Sequence, residues 1–238
     1  MRLANESAIA EYSWRDRGVA PRGYTQGIAL AFAQNYRQLR GGHPAAIEMA
    51  KANTGNEDDA LAWYDEEFRA LGMTNNEAGP HTLRHLYVLL MGLGMREFSG
   101  QHCEGRDQSA SNTTSDTAEA GLYQTSYNAH VFSPQFDPLM DEYLNPVNEA
   151  TCYFGPFAYD VTCSESDWDC YGDGRGYEFQ QLCKNCPAFA VESCALTLRN
   201  AKDHYGPIKR KEAELRFEAN EMFQAVQDFI DGIEDAAA

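Results

Sequence analysis

The stretch Leu86 to Met95, LYVLLMGLGM, constrains this chain more than any other. It carries no charge, and Arg84, His85 and Arg96 flank it. Its ten residues are about half of the roughly 20 that a bilayer-spanning helix needs. A helix that is apolar on every side has no face to offer water, so other elements must cover it completely. The spacing predicts a helix from about Pro80 to Phe98. Pro80 fits a first-turn position and Gly100 fits a stop. This segment is therefore expected to be a buried central helix.

The rest of the chain reads as material to wrap it. Residues 24–40 carry Ile28, Phe32 and Tyr36 on one helical face. Residues 57–71 place Leu61, Tyr64, Phe68 and Leu71 in a stripe, with acids in the first turn. Short helices are expected within 117–130 and 133–149. Residues 177–200 read as helix, interrupted or restarted at Pro187, and 207–231 as one long terminal helix. Residues 1–22 read as an irregular N-terminal extension, and 152–176 as an irregular cysteine-rich region. No repeat or linker divides the chain. The expectation is one mainly α domain spanning 1–238, acting as a monomer.

The formal net charge is −17. No basic stripe is present, which argues against a nucleic-acid partner. No run is long enough for a membrane span. An acidic surface favours cationic polymers over anionic ones, although acidity also serves plain solubility.

Seven cysteines are present, and six of them lie between Cys152 and Cys194. The CxxC at Cys183 and Cys186 allows three readings. A redox pair would want a preceding strand, which is missing. Half of a zinc site would need two more ligands from Cys163, Cys170 and Cys194, whose spacing does not repeat the motif. Disulfides are the favoured reading, with fifteen ways to join six cysteines. The odd seventh thiol stays unpaired or joins another chain. Bridges imply an oxidising, extracytosolic compartment. The N-terminal residues lack a signal-like apolar stretch, and Met1 reads as a start left by removal of a leader.

Glu97 stands where the apolar helix gives way to a polar loop. Burial disfavours its ionised form, and so does the negative end of the helix dipole. Such a carboxyl holds its proton toward neutral pH, which suits a general acid. The competing reading is a structural ion pair with Arg96, Arg106 or Arg84.

GMREFSG (Gly94 to Gly100), a polar loop and then GLYQ (Gly121 to Gln124) resemble the lysozyme-like superfamily of goose-type lysozymes, lytic transglycosylases and chitosanases. The resemblance covers residues 94–128. It implies a lysozyme-like fold, with Glu97 as the acid and Ser99 at the start of the cleft loop, here displaced by Phe98. A second carboxylate would activate water in an inverting hydrolysis. Asp116, five residues before Gly121, is the nearest match for it; Asp107 and Glu119 are reserves. Asp107 and Asp116 read equally well as capping residues. Gln124, Tyr127 and Asn128 are expected to line a sugar cleft, and Tyr205 to reach it, with buried packing the alternative for both tyrosines. The implied activity is an endo-acting glycosidase on an amino-sugar polymer such as chitosan or chitin. Alternatives are a peptidoglycan lysozyme or lytic transglycosylase, a non-catalytic carbohydrate-binding module, and a cysteine-rich interaction protein with a structural metal. No cofactor or metal is expected in the favoured reading. DCYGDG (Asp169 to Gly174) falls short of a calcium loop, with Tyr171 at position three and Gln180 at twelve.

Overall fold

The computed structural model describes residues 1–53, 55–106 and 114–237. It is mainly helical; the strands described form one two-residue antiparallel hairpin, Ser13–Trp14 with Gly18–Val19. The central helix runs Pro80–Phe98, as the apolar run requires, and every residue from Thr82 to Met95 is buried. Four longer helices contact it or its neighbours: Arg22–Arg40, Gly174–Asn185, Pro187–Leu198 and Phe217–Ala237. No helix described is long and apolar enough to cross a membrane.

Two glycines let the wrapping come close. A Cβ on Gly92 would lie 2.2 Å from the Glu214 carbonyl oxygen, and one on Gly94 would lie 2.5 Å from the Tyr24 hydroxyl. The absence of side chains there admits the 212–215 crossing and the Tyr24 ring. Several polar residues of this buried helix are satisfied from outside it. Arg84 donates through Nε to Asn220 Oδ1 (2.9 Å) and through Nη1 to Gln227 Oε1 (2.8 Å). A second buried anchor joins Arg199 to Asp59, with Nε–Oδ1 at 3.1 Å and Nη2–Oδ2 at 2.8 Å. Asp59 also caps the helix Ala60–Trp63 by accepting from the Leu61 amide.

Several expected elements are divided. The 57–71 stripe breaks at Tyr64 into Ala60–Trp63 and Asp65–Ala70. The Tyr64 hydroxyl there accepts from the Ala213 amide. The expected terminal helix from 207 becomes Gly206–Lys209 and Phe217–Ala237. The intervening residues instead cross the central helix at Gly92. Residues 1–22 are no extension: Ala4, Ile9 and Trp14 lie in the core. Within 152–176, short helical turns occur at Phe154–Ala158 and Glu165–Trp168.

Two disulfides are present, Cys103–Cys163 and Cys152–Cys186. The expected three bridges among the six late cysteines are corrected on two counts. Cys103 is paired, and Cys170, Cys183 and Cys194 are free. The CxxC cysteines do not pair with each other: Cys183 ends buried against Gly121, while Cys186 faces Cys152.

Candidate active site

The C-terminal end of the central helix is built with care. Ser99 takes a left-handed conformation (φ 54°), followed by Gly100 (φ 77°). The Ser99 amide donates to the Met95 carbonyl (3.0 Å), and the Gly100 amide to that of Gly94 (3.1 Å). This closure ends the helix and turns the chain sharply. The Arg17 guanidinium, from the N-terminal hairpin, donates to the Arg96 carbonyl. Glu97 is thus held on a fixed final turn, half-buried.

Its surroundings push the carboxyl up to about 7. Burial is the main cause, and the charge of Glu119 is next. Arg210 and Arg17 oppose the shift, while Glu212 adds to it. Glu212 itself is held down to about 2, chiefly by its paired hydrogen bonds from Arg210 (2.8 and 3.0 Å) and by Arg96 (3.3 Å). One carboxyl near neutrality therefore stands near one that stays charged, Glu212, with cations interleaved.

The GLYQ segment forms a tight turn. Ala120 donates to the Thr125 carbonyl (2.9 Å), and the Gln124 amide to that of Gly121 (3.1 Å). The short helix expected there is absent, because Gly121 (φ 71°) and Gln124 (φ 47°) are both left-handed. Leu122 and Tyr123 are buried, and Tyr123 packs against Gly94 on the central helix. The turn is thereby fastened to the helix that carries Glu97, and Glu119 stands just before it.

The other expected site residues fall in different places. Asp116 is exposed on a single helical turn, Ser115–Thr117, against Gly176 in the first turn of Gly174–Asn185. The leading charge on Glu97 comes from Glu119, not from Asp116. Asp107 lies outside the described residues. The Gln124 side chain folds back and donates to Gly121 (3.1 Å). Asn128 is exposed and accepts from Ser126 Oγ (2.8 Å). Tyr127 is buried, donates to Asp137 (2.9 Å) and stacks on His130 at 4.5 Å. Tyr205 does not reach a cleft. It is buried, with its hydroxyl 3.1 Å from Thr125 Oγ1, and it braces the turn from behind. Gln180, discounted as a calcium ligand, instead bonds the backbone of Tyr171, Ser115 and Gly176.

Sequence reasoning missed Arg17, Arg210 and Glu212, which reach Glu97 from the two ends of the chain. It also missed Cys194, buried behind the site, whose thiol is raised mainly by burial and further by the Glu97 charge. No local motif marks any of them.

A polar cavity of about 310 Å³ lies beside the helix end, lined by Arg15, Arg17, Arg96, Arg210 and Lys211 together with Asp16, Glu212 and Glu214. Glu97 is not among its lining residues. A larger groove of about 1220 Å³ opens elsewhere, between the first long helix and the terminal helix, walled by Leu30, Val226, Phe229 and Ile230. None of the expected site residues lines it. Comparison with protein-family models, with curated proteins and with solved structures found no match to the chain.

Proposed function

We propose that the chain is a lysozyme-like glycoside hydrolase in which Glu97 is the general acid and Glu119 the second carboxylate. The observation that carries this reading is the half-buried Glu97 on the fixed last turn of a buried helix, its carboxyl pushed up to about 7 with the Glu119 charge acting on it. A carboxyl poised there keeps its proton at neutral pH and gives it to the leaving glycosidic oxygen. Glu119 then takes a proton from the water that attacks the anomeric carbon from the opposite face. Arg17 and Arg210 limit the rise at Glu97, so that the acid regains its proton without becoming inert.

The net charge of −17 favours a cationic or neutral amino-sugar polymer, and the two disulfides agree with an extracytosolic place of work. Turnover of soluble chitosan, chitin oligomers and peptidoglycan by the protein and by Glu97→Gln tests the assignment. The variant stays folded and inactive if the reading is right; a folded, fully active variant ends it.

One observation favours a second substrate class. The cations of the small cavity stand beside the helix end in an otherwise acidic protein. They suit a glycan bearing carboxylates, as peptidoglycan does. A lytic transglycosylase needs no water-activating acid, so Glu119→Gln separates the mechanisms: hydrolysis fails, whereas internal ring closure continues.

A further inference from the structure

His102 lies five residues beyond Glu97 on the loop leaving the central helix, and it takes no part in the chemistry above. Its ring is 1% exposed, between Phe154 and Trp168. Nδ1 lies 3.3 Å from the Lys184 carbonyl oxygen, which can only accept. That contact fixes the proton on Nδ1 and leaves Nε2 as a bare lone pair. Nε2 is buried with no hydrogen-bond partner. The ligand atoms of His102, Cys103 and Cys163 all lie within 4.8 Å of one another. A buried imidazole nitrogen without a partner is costly. The His102 side chain stands beside two sulfurs, and its Nδ1 is held by a backbone carbonyl in the way that metal-binding histidines are held.

We propose that His102, Cys103 and Cys163 form a redox-gated site for a soft divalent cation of the zinc type. In the oxidised chain the two sulfurs are joined and no thiolate is available. A dithiol reductant supplies two electrons and two protons, breaks the S–S bond and leaves as its own cyclic disulfide. The cation then binds both sulfurs and Nε2, and the two thiol protons pass to solvent. Zinc–sulfur bonds of about 2.3 Å in tetrahedral geometry set the sulfurs roughly 3.8 Å apart. The two Cα atoms are 6.0 Å apart, so the opening asks for side-chain rotation rather than backbone travel. Cys163 is partly exposed and supplies the way in. Three protein ligands leave a fourth position for water or an outside ligand.

The test uses Co²⁺ as probe on the full chain carrying Cys170→Ser, which removes the one free thiol that is not buried. Oxidised and dithiol-reduced samples are titrated anaerobically, with circular dichroism alongside. The expected result is one equivalent of Co²⁺ bound only after reduction, with sulfur-to-cobalt charge-transfer absorption. Adding His102→Gln weakens binding by at least about tenfold, and adding Cys163→Ser removes it. Equal binding by oxidised and reduced protein, no binding by the reduced protein, or equal affinity in His102→Gln overturns the proposal. Loss of helical signal on reduction overturns it too, because the site requires the fold to outlast the bridge.

Discussion

Two glutamates of this protein are pushed up to about 7, both principally by burial, yet they sit in opposite settings. Glu192 is fully buried on the helix Pro187–Leu198. Its Oε1 accepts from the Tyr143 hydroxyl (2.7 Å) and from Gln34 Nε2 (3.1 Å), and Gln34 also donates to that hydroxyl (2.8 Å). Glu97 is half-buried, ringed by Arg17, Arg210, Glu119 and Glu212, on a turn that meets solvent. A raised carboxyl is thus a statement about burial, and only the second setting lets a substrate oxygen and a water arrive. Glu192 is a hydrogen-bonding post in the core; Glu97 is the carboxyl we propose as the reagent.

The sharpest way to break this contrast is to neutralise each acid in turn. Glu97→Gln is expected to lower turnover by about 10²–10⁴-fold, while Glu192→Gln leaves it within about twofold, measured on the same glycan with folding checked by circular dichroism. The reverse outcome would exchange their roles. Stability against pH comes next in size. Below pH 4.5 the Glu192 carboxyl is protonated whether the chain is folded or not. As pH rises from 4.5 toward 7 the unfolded chain releases that proton and the folded chain keeps it, so stability falls. Above about 7 the loss is complete, at about 3 kcal/mol. Denaturant midpoints between pH 4 and 8 should fall accordingly and flatten in Glu192→Gln. Glu97→Gln flattens them less, because water reaches that side chain.

Gly92→Ala is expected to cost about 1–3 kcal/mol in denaturant unfolding, since its methyl group meets the Glu214 carbonyl rather than a flexible side chain. The smallest effect is a shift in a pH profile. Removing the like charge with Glu119→Gln lets Glu97 ionise earlier, so the upper limb of residual kcat/KM moves to lower pH. An unmoved limb would mean that the two carboxyls do not sense each other.

The central helix was legible from the sequence because a run apolar on all sides has one solution: to be covered. Both of its ends followed from Pro80 and from the Ser99–Gly100 turn. The raised carboxyl of Glu97 was legible for the same reason, since it needs only burial and a helix end. What escaped was decided across the chain. The resemblance ranked Asp116 above Glu119; the placement of the 115–125 segment is set by Tyr123 against Gly94 and by Gln180 on Ser115. Tyr205 looked available because phenols suit sugars; its burial depends on Thr125, eighty residues away. The 207–231 periodicity was real, yet the crossing at Gly92 outweighed it. Cysteine pairing has no local signal, so the roles of Cys103 and Cys186 had to come from the structure.

The Cys103–Cys163 bridge closes a ring that starts six residues after Glu97 and includes Glu119, the GLYQ turn and the 107–113 stretch. A protease that cuts anywhere inside this ring opens the covalent chain without releasing a fragment. Both halves stay fastened, one through the central helix and the other through Cys163. A nicked molecule would keep the segments that carry Glu97 and Glu119 together until the bridge is reduced.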